Sequence, residues 1–278
     1  MQDLSKIKII FSDIDGTLLP FAGKDLKPTA ALIRELLEAG YRFIPCTGRG
    51  TGNIPQEIKN IPGLSYAVTA NGALVTDLRS GQAVWKRMVP RELARKLTLF
   101  LRNYNGNAYL YRNGEHHLDV ALGEWPYNHE NKSLEVWRNT VVQCDFLELL
   151  NEPESAFLDK MGFASNDPKQ FERILADIPA ESYYDELLVT TSADWNIEIN
   201  AAGASKGDAA LWLTKELGLK PENMLCAGDN INDLSMLKAG GISLAPENAL
   251  PEVKAAVDFV VPDCLEDGVE NFLRKLLK

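Results

Sequence analysis

Short apolar runs and amphipathic stretches alternate near the start of the chain. Residues 7–11, 41–46 and 66–69 have the length and apolar character of buried strands. Between the first two runs, residues 28–39 carry apolar side chains at helical spacing, begin with a proline and are followed by Gly40. Strands and helices that alternate in this way predict a mostly parallel sheet with helices on both faces.

The C-terminal part of the chain repeats this alternation. The pattern there predicts four helices and three strands, with helices at 206–217, 231–238, 250–256 and 265–277 and strands at 223–227, 241–244 and 257–261. We therefore expect the two ends of the chain to form one core.

The middle of the chain has a different pattern. Asn113-Gly114 is typical of a tight hairpin turn, and residues 109–112 and 115–120 flank it as antiparallel strands. Helical patterns appear at 90–103 and 167–176. This mixture predicts an α+β segment that is inserted into the α/β frame.

These patterns together predict the fold class and the domain limits. We expect an α/β protein whose Rossmann-like, mostly parallel core is formed by residues 1–86 and 195–278. Residues 87–194 then form the inserted α+β domain.

Composition and charge narrow the range of functions. Hydrophobic residues make up 45% of the 278 positions and charged residues 24%, which is ordinary for a globular protein and excludes a disordered chain. The formal net charge of -10 disfavours binding to nucleic acid or to an anionic membrane, because both would repel the chain. A small phosphate substrate stays possible, since a bound metal ion can invert the local charge.

Cysteine spacing and the apolar segments bear on the location of the protein. None of the four cysteines stands in a C-x-x-C pair, so the spacing favours neither a zinc site nor a redox motif. The N-terminus has no apolar core of a secretion signal, and no apolar run reaches the roughly 18 residues of a membrane span. We predict a cytoplasmic protein, whose oligomeric state the sequence leaves open.

Polar residues follow four of the predicted strands. In an open parallel sheet, ligands bind outside the carboxyl ends of the strands. The segments that reach this edge are Ser12–Leu19, Cys46–Arg49, Ala70–Ala73 and Gly228–Asp233. They bring four carboxylates to one edge, which repel one another unless a cation lies between them. Carboxylate oxygens favour Mg²⁺, so we expect Mg²⁺ as the cofactor.

Three side chains indicate phosphoryl chemistry at this edge. Asp13 and Asp15 can serve as a nucleophile and as a general acid and base, and carboxylate nucleophiles are used on phosphoryl groups. Lys206 opens a predicted helix, where a positive charge opposes the helix dipole. A phosphate bound at the same helix end would explain the lysine.

The order of these motifs resembles the signature of the haloacid dehalogenase (HAD) superfamily. The matching motifs are Asp13-x-Asp15-x-Thr17, Thr47, Lys206 and Gly228-Asp229-x-x-Asn232-Asp233. The long gap between Thr47 and Lys206 resembles a C2-type cap domain. The segments around Asn71 and before Lys206 resemble the Cof-type branch, subfamily IIB, which includes many sugar-phosphate phosphatases.

The resemblance implies a catalytic set and a metal site. Asp13 would attack phosphorus, and Asp15 would protonate the leaving oxygen and then activate water, with Thr47 and Lys206 also catalytic. Mg²⁺ would be held by Asp13, by the main-chain carbonyl of Asp15 and by Asp229.

The resemblance also implies a substrate-binding set and two supporting residues. The expected substrate-binding residues are Ile14, Thr47, Gly48, Asn71, Lys206 and Asn232. Thr17 would brace the loop, and Asp233 would orient a metal-bound water or the lysine. Asn71-Gly72 could also be a tight turn and nothing more.

Other side chains are open to two interpretations. Arg49 is expected to lie at the surface or in a hinge, with substrate contact as the alternative. The cap aromatics are expected to be hydrophobic core, with Trp125 or Tyr127 as candidates for stacking on a sugar ring.

The expected function is hydrolysis of a phosphomonoester with Mg²⁺ and an aspartyl-phosphate intermediate. The expected partner is a small phosphorylated metabolite, with sugar phosphates as the first choice and no role for nucleic acid or membrane. Two alternatives stay open, namely a phosphosugar mutase on the same scaffold and a phosphosugar-binding protein without catalysis.

Overall fold

The structure is a computed structural model that describes residues 3–20, 25–122, 141–165, 167–193 and 195–278. Trp125 and Tyr127, the candidates for sugar stacking, lie outside the described residues. The contacts divide the chain into one unit of Met1–Lys86 with Ser205–Lys278 and a second unit of Arg87–Ala204.

The strands of the described residues are numbered in chain order as β1 (Ile9–Ser12), β2 (Arg42–Pro45), β3 (Tyr66–Thr69), β4 (Leu74–Asp77), β5 (Ala83–Lys86), β6 (Val89–Pro90), β7 (Asn107–Arg112), β8 (Glu115–Asp119), β9 (Val142–Cys144), β10 (Phe157–Leu158), β11 (Lys160–Ala164), β12 (Leu187–Ala193), β13 (Asn196–Ala201), β14 (Met224–Ala227), β15 (Ile242–Pro246) and β16 (Phe259–Val261).

The α-helices of the described residues are numbered in the same way as α1 (Lys27–Glu38), α2 (Gln56–Lys59), α3 (Arg91–Leu101), α4 (Phe146–Leu149), α5 (Pro168–Asp177), α6 (Lys206–Glu216), α7 (Leu234–Ala239), α8 (Pro251–Lys254) and α9 (Gly268–Leu273).

A five-stranded parallel sheet forms the centre of the first unit. Its order is β16–β15–β14–β1–β2, and every neighbouring pair runs parallel. Successive side chains of a strand point to opposite faces, so Ile10 packs with the helices α1 and α9, whereas Ile9 and Phe11 pack with α6 and α7. The predicted α/β class with a parallel core is confirmed.

The strand β3 departs from the predicted pattern. It pairs antiparallel with β4, which pairs with β5 to complete a separate three-stranded sheet. A parallel bridge between Cys46 and Val68 and the hydrogen bond from the Thr47 N–H to the Val68 carbonyl (2.9 Å) connect β3 to the chain just after β2. Its partner is therefore the strand that follows it directly in the chain.

The second unit is an α+β structure with a six-stranded sheet. The order is β12–β13–β11–β7–β8–β9, and each pair is antiparallel except β8 with β9. The helices α3 and α5 cover one face, where Leu97 and Ile174 pack into an apolar core.

The end of the second unit lies beyond the predicted limit at residue 194. The strand β13 pairs with β11 and β12, so its backbone hydrogen bonds belong to the sheet of the second unit. The unit therefore runs to Ala204, and the assignment of residues 195–204 to the core is corrected.

None of the helices within the described residues is both long enough and apolar enough to span a lipid bilayer. The cytoplasmic location stays a prediction.

Candidate active site

The turn after β1 carries the first two acidic residues of the site. The Asp13 N–H donates to the Ala227 carbonyl at 2.9 Å, which fixes this turn against the end of β14. The Ile14 carbonyl accepts from the N–H groups of Leu18 and Leu19 and closes the turn. The Ile14 side chain is fully buried in the apolar core, so any contact of this residue with a ligand must come from its backbone.

Gly16 allows the turn to approach a second loop closely. Its φ is +83°, and an added Cβ would overlap the carboxylate of Asp229. The next residue uses this proximity, because the Thr17 hydroxyl donates to Asp229 Oδ1 at 2.6 Å. A side chain at position 16 would separate these two loops.

Lys206 connects the nucleophile candidate to the loop after β14. The lysine is 1% exposed, and its Nζ donates to Asp13 Oδ1 and to Asp233 Oδ1, both at 2.6 Å. Ser205 caps the helix α6 in a capping box with Asp208, which fixes the first turn that carries the lysine. Burial lowers the pKa of Lys206, but the two carboxylates outweigh burial and raise this pKa above its ordinary value. The lysine is therefore a permanent buried cation.

Both carboxylate oxygens of Asp233 accept hydrogen bonds from other groups of the protein. Oδ1 accepts from Lys206, and Oδ2 accepts from the N–H groups of Asp229 and Asn230, both at 3.0 Å. These contacts orient the lysine and shape the loop that carries Asp229. Lysine is one of the two partners that the resemblance implies for Asp233.

The carboxylates of Asp13, Asp229 and Asp233 form a buried acidic cluster. Their candidate ligand atoms all lie within 4.8 Å of one another. Burial raises the pKa of Asp13 well above its ordinary value, and Asp233 and Asp229 add to this shift while Lys206 opposes it. Burial and the Asp233 charge raise the pKa of Asp229 to about 7, against a lowering by the Thr17 hydroxyl.

The donor set of this cluster fits a divalent cation. All of its ligand atoms are carboxylate oxygens, and two of its carboxylates have raised pKa values that a bound cation would lower. Asp13 and Asp229 are the two that would hold the ion, because Asp233 already binds the lysine and two backbone N–H groups.

Asp15 lies outside the cluster and pairs with Arg49. The arginine donates from Nε to Asp15 Oδ2 at 2.7 Å and from Nη2 to Asp15 Oδ1 at 2.6 Å. Its Nη1 donates to the Asn53 carbonyl at 3.1 Å, which fixes the far side of the guanidinium. The sequence pattern did not predict this pair. The position of Arg49 two residues after Thr47 could have indicated it, because both residues follow β2 at the edge where Asp15 lies.

The phosphate-binding candidates Thr47, Asn71 and Asn232 form a chain of contacts. The Asn71 N–H donates to the Thr47 carbonyl at 3.1 Å, and Asn232 Nδ2 donates to Asn71 Oδ1 at 3.3 Å. The Thr47 hydroxyl accepts from the Arg49 N–H at 3.1 Å. Gly48, between Thr47 and Arg49, is partly exposed. The structure thus brings the ends of β1, β2, β3 and β14 to one edge.

Comparisons with known proteins give the family of the chain. The family model of haloacid dehalogenase-like hydrolases matches residues 10–273. The chain is 27% identical over 271 residues to a 5-amino-6-(5-phospho-D-ribitylamino)uracil phosphatase of Bacillus subtilis, with 96% of this chain and 95% of that protein covered. It is 25% identical over 275 residues to a pyridoxal phosphate phosphatase of Escherichia coli, with 96% and 97% covered.

A solved structure has the same fold. It is that of a HAD subclass IIB sugar phosphatase, which aligns with a TM-score of 0.78 over 96% of this chain and 98% of its own, at 21% identity.

The chain belongs to the haloacid dehalogenase-like hydrolase family. It is a HAD-type phosphatase, and the predicted superfamily and enzyme class are confirmed.

Proposed function

We propose that this phosphatase hydrolyses phosphomonoesters of small metabolites, with Mg²⁺ as cofactor and a phosphorylated Asp13 as intermediate. The observation that carries the proposal is the contact of Lys206 Nζ with Asp13 Oδ1 inside a cluster of buried acids. A buried carboxylate beside a permanent ammonium group is suited to approach a dianionic phosphate, because the ammonium offsets the repulsion.

The reaction takes two steps. An oxygen of Asp13 attacks phosphorus and forms an O–P bond, while the bond from phosphorus to the ester oxygen breaks and Asp15 gives that oxygen a proton. A water molecule then attacks phosphorus, Asp15 takes its proton, and the O–P bond to Asp13 breaks to release inorganic phosphate.

The other residues of the site bind and orient the phosphoryl group. Lys206 neutralises its charge, and Thr47, Gly48 and Asn232 donate hydrogen bonds to its oxygens. Mg²⁺, when bound, would supply positive charge that stabilises the negative charge of the phosphoryl group. Asp13, the Asp15 carbonyl and Asp229 would hold it, and the raised pKa values of Asp13 and Asp229 support this assignment.

The substrate class is proposed from the relatives. Their names include a ribitylaminouracil phosphate and pyridoxal phosphate as substrates, and a protein of the same fold is named a sugar phosphatase. We place sugar and polyol phosphates first and pyridoxal phosphate second. Residues 87–204 form the unit that we assign as the cap of the C2 type.

The test is phosphate release from a panel of sugar, polyol, flavin and pyridoxal phosphates, with Mg²⁺ and with EDTA. Asp13→Asn removes the nucleophile and keeps the side-chain shape. Asp185→Asn is the matched control, because this exposed aspartate lies in the second unit. We expect release by the wild type and by Asp185→Asn with Mg²⁺, and no release by Asp13→Asn or in EDTA.

Other outcomes would favour the alternatives. Turnover that requires a bisphosphosugar would indicate a mutase. Binding of sugar phosphates without release of phosphate would indicate a binding protein. Release by Asp13→Asn at the wild-type rate would contradict the proposed intermediate.

A further inference from the structure

The turn that follows β3 has an unfavourable backbone conformation. Ala70, Asn71 and Gly72 have φ values of +49°, +58° and +97° in succession. Within the described residues, non-glycine residues with positive φ occur at four positions, and two of them are adjacent here. Residues with a Cβ avoid this region, and such strain is concentrated at functional sites.

Contacts with the phosphate-binding elements hold this turn in place. The N–H groups of Ala70 and Asn71 donate to the carbonyls of Arg49 (2.9 Å) and Thr47 (3.1 Å). An added Cβ on Gly72 would overlap the backbone of Ser205 at the start of α6. The turn is therefore fixed between the Thr47 segment and the helix end that carries Lys206.

The side chain of Asn71 has an unsatisfied donor in this position. It is 2% exposed, and its Oδ1 accepts from Asn232 Nδ2 at 3.3 Å. Its Nδ2 has no hydrogen-bond partner within the described residues. A buried amide N–H without an acceptor is costly, and each one in a native protein calls for an explanation.

The surroundings of Asn71 indicate which acceptor is missing. The residue lies against three elements to which the proposed function assigns the phosphoryl oxygens. Its backbone N–H donates to the Thr47 carbonyl, its side chain contacts Asn232, and the next residue, Gly72, lies against the start of α6. A phosphoryl oxygen has only acceptor sites and would satisfy Nδ2. Turning the amide round would instead leave a buried carbonyl oxygen beside the anion, which is unfavourable.

We infer that Asn71 is a substrate-binding residue whose side-chain N–H donates to a phosphoryl oxygen of the bound monoester. The strained turn holds the donor in place before the substrate arrives, so little order is lost on binding. The inference rests on the proposed function and adds a contact that the tight-turn interpretation lacks. Asn71 also orients Asn232 through its Oδ1.

Two substitutions separate the donor from the turn. Asn71→Asp keeps the shape, tolerates positive φ and keeps an oxygen for Asn232, but it replaces the donor by an anionic oxygen. Asn71→Gly tolerates positive φ and removes the side chain. Asn113→Asp is the matched control, because Asn113 has a φ of +53° and is exposed in the turn between β7 and β8.

The measurements are the Kd of inorganic phosphate by calorimetry with Mg²⁺ present, KM and kcat for the best panel substrate, and Tm. We expect Asn71→Asp to raise both the Kd of phosphate and KM by about tenfold or more, because it loses a hydrogen bond to a charged group. The loss in kcat is smaller, because the contact forms already in the ground state. We expect Asn71→Gly to weaken phosphate binding less than Asn71→Asp does. Asn113→Asp should have the phosphate affinity, KM and kcat of the wild type.

Wild-type phosphate affinity and KM in Asn71→Asp would overturn the inference. If Asn71→Asp does not fold, wild-type values in Asn71→Gly would overturn it equally. A wild type that neither binds phosphate nor releases it would contradict the proposed function itself. An active wild type with an unaffected Asn71→Asp contradicts the assignment of Asn71 alone.

Discussion

The guanidinium of Arg49 and the carboxylate of Asp15 form a two-point hydrogen-bonded pair, with N–O distances of 2.7 and 2.6 Å. The Asn53 carbonyl accepts a hydrogen bond from Arg49 Nη1 and fixes the guanidinium. The two hydrogen bonds of the guanidinium, called the fork below, therefore fix the direction of the Asp15 carboxylate. Asp15 is the proposed general acid and base, which must lie within hydrogen-bond reach of the ester oxygen. In the proposed mechanism, Arg49 would therefore act on the reaction through Asp15, as a positioning residue.

The first prediction concerns this pair. Arg49→Ala removes the fork, and Arg49→Lys keeps the charge but loses the two-point geometry. We expect kcat to fall roughly ten- to hundredfold in both variants, because a misplaced catalytic group costs that much. Steady-state kinetics measures this. Arg79→Ala is the control, since Arg79 is exposed and pairs with Asp77 outside the site. An unchanged or higher kcat in Arg49→Lys would show that the fork does not position Asp15.

Lys206→Met tests the buried charge network. The lysine contacts two buried carboxylates, and its removal would leave Asp13 and Asp233 close together without a cation. We expect the free energy of unfolding in EDTA to fall by about 3–5 kcal/mol, as for other broken buried ion pairs. Urea unfolding measures this loss. Lys254→Ala breaks an exposed pair with Glu247 and should cost less than about 1 kcal/mol. Equal losses in the two variants would contradict the account.

The pH dependence of the metal-free protein follows from Asp229. Its pKa in the fold is raised to about 7 from an ordinary value of 3.8, so the folded state holds a proton that the unfolded state releases between these values. Stability in EDTA should therefore decrease as pH rises from about 4 to about 7. Denaturant unfolding gives the free energy of unfolding of the wild type and of Asp229→Asn at each pH. The difference between the two values isolates this contribution. A difference that is flat with pH, or that rises, would contradict the burial account.

Gly16→Ala separates backbone strain from the approach of two loops. The substitution is strained by its φ of +83° and also overlaps the Asp229 carboxylate. Gly81→Ala is the matched control, because its φ is +72° and an added Cβ there meets no atom of the described residues within 4 Å. We expect both variants to lose about 1–2 kcal/mol of stability from backbone conformation. Gly16→Ala should lose more than that, because its Cβ also displaces Asp229.

A second measurement on the variants Gly16→Ala and Gly81→Ala concerns the binding of Mg²⁺. Mg²⁺ at a hundred times its Kd would stabilise the wild type by about 2.7 kcal/mol. Gly81→Ala should keep this gain in thermal melts, and Gly16→Ala should lose most of it. Equal Mg²⁺ stabilisation of the two variants would show that the close approach at Gly16 does not shape the metal site.

The sequence alone determined which residues reach the carboxyl edge of the parallel sheet. The apolar runs that form β1, β2 and β14 are local signals, and each is followed directly by its polar motif. The first residue of α6 could be placed in the same way, because the helix pattern and its capping residue are local. The family and the phosphatase class followed from these positions.

Only the tertiary structure decided which groups meet. The pairing of β3 with β4 and the place of β13 in the second sheet depend on which strand supplies the backbone partner, and an apolar run does not specify that partner. The contact of Arg49 with Asp15 and the unsatisfied donor of Asn71 depend on the folded turns, in which residues far apart in the chain become neighbours. Local patterns encode periodicity and chain ends, whereas hydrogen-bond partners and buried charges are properties of the packed fold.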